Sequence, residues 1–140
     1  MDLKMDRAAL ETFLAREFPQ AAAEMTVLSV RAGAAELRLE VSDRHLRPGG
    51  TVSGPSIFGL ADVAMYVAVL SALGPEALAV TTNCSIDFMR KPKAGQALVA
   101  EARLLKLGRV LAVGDVLIRS GEGSDPVARA SLTYSIPPKR

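Results

Sequence analysis

Cysteine and histidine are almost absent from this chain. Cys84 and His45 are the only ones in 140 residues, and tryptophan is missing altogether. A lone cysteine excludes an intrachain disulfide and points to a reducing, cytoplasmic setting. No metal-ligand spacing, Walker loop, GxGxxG fingerprint or GxSxG elbow occurs, so no metal and no cofactor is expected. Charge of one sign is also scarce: 17 Lys and Arg against 15 Asp and Glu leave a net charge of +2. That is too little to argue for nucleic acid, and no dense basic stripe appears. The N-terminus, MDLKMDRAALETFLAREF, mixes both signs and lacks the apolar core of a signal peptide.

What remains is the composition of one soluble domain over residues 1–140. Hydrophobic residues make up 49% and charged ones 23%, enough apolar material for a core and too much for disorder. Only one long apolar run interrupts the mixture, Pro55–Leu73, read as PSIFGLADVAMYVAVLSAL. Pro55 suits the first position of a helix, where its missing N–H costs nothing. Gly74-Pro75 closes the run as a stop signal. Nearly every face of this helix is apolar, which predicts burial on all sides. Its last 17 residues, Ile57 to Leu73, sit at the low edge of the membrane-spanning range of about 17–25, and Asp62 would be costly in a bilayer. A core helix is expected, without membrane contact.

Around that run the chain is ordered simply. Leu10, Phe13, Leu14 and Phe18 recur at helical spacing, so residues 6–18 read as a short amphipathic helix with Asp6 as its N-cap. Met25–Arg31 and Ala35–Val41 form a hairpin with one wet face, and Ser42–Gly54 reads as a loop. Four long strands follow: Ala79–Met89, Gln96–Leu107, Arg109–Arg119 and Pro126–Ile136, with a turn at Ser120–Asp125. Alternation puts Val80, Thr82, Cys84, Ile86 and Phe88 on one face of the first of these. The last residues, PPKR, are expected to fray. One buried helix followed by a long antiparallel meander does not fit a doubly wound parallel sheet; it fits an α+β layer in which one sheet curls around one helix.

Asp62 stands out chemically, because a carboxylate inside an apolar helix is unfavourable by propensity and costly to desolvate. It is a candidate general base or nucleophile. Gly50, Ser53 and Gly54 precede the helix, where free backbone N–H groups can meet a developing negative charge. Pro55 has none, so the donor should be Gly54, helped by Ser56. Eight residues separate Gly54 from Asp62, about 12 Å along one helix at about 1.5 Å per residue. Both cannot reach one carbonyl carbon from one chain. Two copies of the helix lying antiparallel about Phe58-Gly59 would bring Gly54 of one to Asp62 of the other, so a homodimer is expected, with a homotetramer as the larger alternative. His45 reads as an exposed loop residue, and Cys84 as a buried, inert thiol. Tyr66 could share the face of Asp62, and Thr82 and Asn83 could line a pocket. Lys91, Lys93, Lys106 and Arg109 flank turns, as ordinary surface charge or as contacts for phosphates.

Three stretches, GGTVSGPSIFGLADVAMYVAV, TTNCSIDFMRKPKAG and LKLGRVLAVGDVLI, resemble the hotdog-fold thioesterases, in particular the phenylacetic-acid-pathway (PaaI-like) branch. The likeness runs from about Val41 to Ile136. It implies hydrolysis of acyl-CoA thioesters, with the acid, Asp62, from one subunit and the glycine N–H, Gly54, from its partner; CoA is then part of the substrate. Three positions depart from the family motif: Ser53 stands for its histidine, Pro55 for its second glycine, and Arg47 for an asparagine often found before Gly50. Arg47 could meet a charged substrate group or a CoA phosphate, or be a solvated loop arginine. The expected substrate contacts are Arg47, Ser53, Tyr66, Thr82, Asn83 and Arg109. The missing histidine and asparagine keep a second reading open, a non-catalytic acyl-CoA-binding module.

Overall fold

A computed structural model of the chain describes residues 1–121, 123 and 125–138. Glu122 and Ser124 of the expected turn, and Lys139 and Arg140 of the tail expected to fray, lie outside them. The first helix, α1 (Arg7–Glu17), starts where Asp6 Oδ1 accepts the Ala9 N–H at 2.9 Å, and it buries Leu10, Phe13 and Leu14. Pro19 stops it and opens a single turn, α2 (Pro19–Ala22). Strands β1 (Met25–Arg31) and β2 (Ala34–Leu39) form the expected hairpin.

Residues 42–53, expected as plain loop, hold a 3-10 turn, Asp43–His45, and a miniature hairpin of β3 (Leu46–Arg47) and β4 (Thr51–Val52). Elements this short leave no periodic signal in a sequence. Gly50, with φ of +79°, bends the chain between β3 and β4 in a conformation that side chains disfavour. The long helix α3 (Gly54–Leu73) follows. Four strands complete the chain: β5 (Val80–Phe88), β6 (Leu98–Leu107), β7 (Leu111–Ser120) and β8 (Pro126–Ser135).

The six long strands make one antiparallel sheet in the order β1-β2-β6-β7-β8-β5. The expected four-strand meander is therefore only three strands long. β6 takes the open edge of β2, with Leu37 opposite Ala100, and β5 is left to pair with β8 on the far side. Alternation fixes which face a strand buries but not its neighbour, so the order was not readable from the pattern. Among the described residues β5 pairs with β8 alone, which leaves its outer edge open.

The sheet curls around α3. Small residues on its inner face, among them Ala100, Ala102, Ala112 and Ala130, let the helix settle close. Gly114 takes this furthest: a Cβ there would lie 2.6 Å from Met65 Cε and 2.4 Å from the Arg103 carbonyl oxygen, nearer than real atoms pack. By length and mean hydropathy, 1.9, α3 could cross a membrane, but 72% of its apolar window is buried inside this fold. One expectation fails here. Pro55 is exposed and Phe58, Gly59 and Asp62 are half-buried, so α3 keeps an open strip along its first half. The sheet covers the rest.

Candidate functional site

Asp62 faces a cavity of about 320 Å³ between α3, β5 and β8, lined also by Tyr66, Ala77, Ala79, Thr81 and Tyr134, with Glu17 and Phe18 at the edge of α1. Its Oδ1 accepts hydrogen bonds from the Thr81 hydroxyl and from the Tyr134 hydroxyl, the latter at 2.9 Å. Among the described residues Oδ2 has no hydrogen-bond partner. A carboxylate is thus held by one oxygen and presents the other. The Tyr134 phenol is pushed far above its usual range, first by burial and then by the Asp62 charge. Tyr66 shares the cavity as expected; its hydroxyl donates to the Ala77 carbonyl at 3.0 Å, and its ring stacks on Tyr134 with centroids 6.2 Å apart. Burial, then the charges of Glu17 and Glu76, push the Tyr66 phenol above its usual range too. Both phenols are donors at any physiological pH.

Thr81 and Tyr134 were missed by sequence reasoning, and a bulge explains the first. Thr81 pairs with Tyr134 and Asn83 with Thr133, so Thr82 is an extra residue in β5. The extra residue reverses the alternation. Thr81, not Thr82, joins Cys84, Ile86 and Phe88 on the helix side, and Val80 is left 55% exposed. Thr82 and Asn83 are exposed on the open edge strand, with the Thr82 hydroxyl on the Thr133 carbonyl at 3.3 Å. For Tyr134 a signal existed: a tyrosine at a core-facing strand position needs a partner for its hydroxyl. Cys84 is half-buried rather than buried, and burial with the nearby Asp62 charge pushes its thiol up, which keeps it a poor nucleophile.

Gly54 opens on a different cavity, about 570 Å³, which shares no lining residue with the first. Among the described residues the Gly54 N–H donates to no acceptor. Phe88 lies over the glycine, with its ring tip 3.4 Å from where a Cβ would be. Arg47, Arg90 and Lys91 line the same cavity, which has no acidic residue. Ser53 caps α3: its Oγ accepts the Ser56 N–H at 3.3 Å and donates to the Ser56 Oγ at 3.0 Å. Arg109 falls in neither cavity. It rims an apolar hollow of about 640 Å³ with Leu73, Leu107, Val110 and Ile136, at the other end of α3.

His45 overturns the expectation of an exposed loop residue; it is only 6% exposed. Its Nδ1 accepts the Ser42 N–H at 2.9 Å, and Nε2 meets Glu24 Oε2 at 2.6 Å. The His45 carbonyl accepts the Ser53 N–H at 2.8 Å, so this buried ring anchors the segment entering α3. Its partner lies 21 residues upstream, beyond any local pattern.

An antiparallel sheet wrapped around one helix, with a carboxylate in that helix and a free amide at its start, is a hotdog fold of the thioesterase kind. The sequence model of the thioesterase superfamily matches residues 49–127, and the chain belongs to that family. It is similar to a "putative thioesterase" of Silicibacter sp. TM1040, with 56% identity and a TM-score of 0.91 over 99% of this chain and 96% of the other. The PaaI protein from the phenylacetic acid degradation operon of E. coli is 27% identical, with a TM-score of 0.81 over 94% of each chain. A hypothetical thioesterase of Streptococcus pneumoniae, solved with coenzyme A, is 25% identical, with a TM-score of 0.80 over 94% of this chain and 99% of the other. The family and these neighbours support hydrolase activity in general.

Proposed function

We propose that the protein hydrolyses acyl-CoA thioesters at sites formed between two copies of the chain. The observation that carries this reading is the free Gly54 N–H beside a cavity lined by Arg47, Arg90 and Lys91. Cations there suit the phosphates of CoA, and the amide suits the oxyanion of an attacked thioester. The CoA bound to the Streptococcus neighbour supports the same substrate class, and such a substrate fits the cytoplasmic setting inferred from the lone cysteine. Asp62 takes a proton from water, the hydroxide adds to the thioester carbon, and the oxyanion rests on the Gly54 N–H of the partner chain. The C–S bond then breaks, and the CoA thiolate recovers the proton. Direct attack by Asp62, giving a mixed anhydride that water cleaves, uses the same groups and stays open.

The two-chain arrangement is supported by the open strip of α3 around Phe58 and Gly59 and by the open edge of β5. One observation favours the second reading, an acyl-CoA-binding module. Ser53, at the position of the family histidine, is engaged as a helix cap, so no imidazole is there to orient a carbonyl. Thiol release measured over a panel of acyl-CoAs separates the two. Turnover by the wild type that falls by about 10²- to 10⁴-fold in Asp62→Ala supports the enzyme. Tight binding of acyl-CoA without turnover supports the module, and undiminished turnover in Asp62→Ala removes Asp62 from the chemistry.

A further inference from the structure

Tyr134 reaches Asp62 from β8. Its hydroxyl lies 2.9 Å from Asp62 Oδ1 and 2.8 Å from the Asp62 carbonyl oxygen. One phenolic proton cannot serve both acceptors fully. The carbonyl sits in mid-helix, where the amide four residues on already occupies it. The carboxylate is charged and is the stronger acceptor. The ring has no freedom to choose otherwise: it is 3% exposed and stacked on Tyr66. A phenylalanine would fill the same space without the cost of burying a hydroxyl, so packing alone does not account for a tyrosine here.

We propose that Tyr134 is a positioning residue for Asp62, holding Oδ1 so that Oδ2 alone is presented to substrate or water. The inference rests on the reading of Asp62 as the working carboxylate. With Thr81 donating from β5 and Tyr134 from β8, two strands grip one oxygen, and the side chain cannot rotate to exchange it for the other. A carboxylate fixed in this way loses little orientation in the transition state. The raised Tyr134 phenol fits the role, since it remains a donor and never competes as a base.

Tyr134→Phe tests this, because it keeps the ring, its stacking and its volume. The expected result is a fall in kcat of about 10- to 100-fold, the worth of a hydrogen bond to a charged group, with KM for acyl-CoA within about twofold. A kcat within about twofold of wild type, or a loss confined to KM, overturns the proposal. The second measurement needs no substrate: the carboxyl ¹³C resonance of Asp62, identified by its absence in Asp62→Asn, read well above carboxylate pKa values. It should move in Tyr134→Phe and stay in place in Tyr66→Phe, whose lost hydroxyl bonds Ala77 instead. An unmoved resonance in Tyr134→Phe overturns the proposal. Should the wild type cleave no acyl-CoA at all, the hydrolase reading falls, and the resonance alone decides the role of Tyr134.

Discussion

Asp62 and Gly54 lie on one helix, about 12 Å apart along its axis, and their surroundings have almost nothing in common. Asp62 presents a side chain held by hydroxyls, in a cavity of tyrosine, phenylalanine, alanine and valine with Glu17 at its edge. Gly54 presents a backbone N–H behind a helix cap and the His45 carbonyl, in a cavity where arginine and lysine stand beside Val52, Ile57, Phe88 and Met89. An acyl-CoA has the same division, an apolar acyl group at one end and phosphates at the other. On the function proposed above, the two cavities are half-sites for one acyl-CoA, with the cations of the Gly54 cavity facing its phosphates.

The largest effect should come from keeping the two halves apart. Gly59 lies on the open strip of α3, and a Cβ there meets nothing within 4 Å. Gly59→Arg should fold and melt close to wild type, since arginine is the better helix former. Near a two-fold axis, however, it would set like charges against each other. Sedimentation should show a monomer, and thiol release should fall by about 10²-fold or more, as for loss of an oxyanion donor. A folded, active monomer would end the two-chain account.

A smaller effect sharpens the comparison by touching one half alone. Arg47 is exposed on the Gly54 cavity. Arg47→Ala and Lys91→Ala should each raise KM for acyl-CoA by about 3- to 10-fold, less at high salt, with kcat within about twofold. Equal losses in kcat would place these cations in the chemistry instead.

The smallest expected effect concerns the support beneath Gly54. The Arg44 guanidinium, opposed by partial burial and aided by His45, holds the Glu24 carboxyl below its usual range. A carboxyl depressed on folding contributes stability that is fully present above its unfolded value, near 4.5, and that disappears as pH falls through the folded value. Glu24→Gln should therefore melt below wild type at neutral pH, and the gap should close as pH drops from about 6 to about 3. Melting curves across that range check it; a gap independent of pH would mean the pairing is inert.

Much of this molecule was readable from the chain. Pro55, Gly74 and the apolar run between them announced α3, and the cost of a carboxylate in such a run pointed to Asp62. The Gly54-to-Asp62 spacing, which rests on helix rise alone, already divided the site in two. What escaped has a common cause in non-local or non-periodic structure. The extra residue at Thr82 reversed an alternation that looked clean, hiding Thr81. The Glu24–His45 pairing joins residues 21 apart. The order of strands rests on pairings between residues far apart in the chain, such as Leu37 with Ala100. Even the apolar run misled in one respect, because Phe58 and Gly59 on the open strip are as apolar as the buried faces beside them.

That strand order also governs how the molecule comes into being. β2 waits for β6, and β5 waits for β8, so the most apolar segment leaves the ribosome before most of the sheet that will enclose it has been made. From Leu73 to Ser135 synthesis takes about 3–12 s at typical rates of about 5–20 residues per second. During that interval α3 has only β1, β2 and the N-terminal helices for cover. The sheet that encloses α3 can therefore close only once the last strand is made, and dependence on chaperones should grow with the time that α3 spends uncovered.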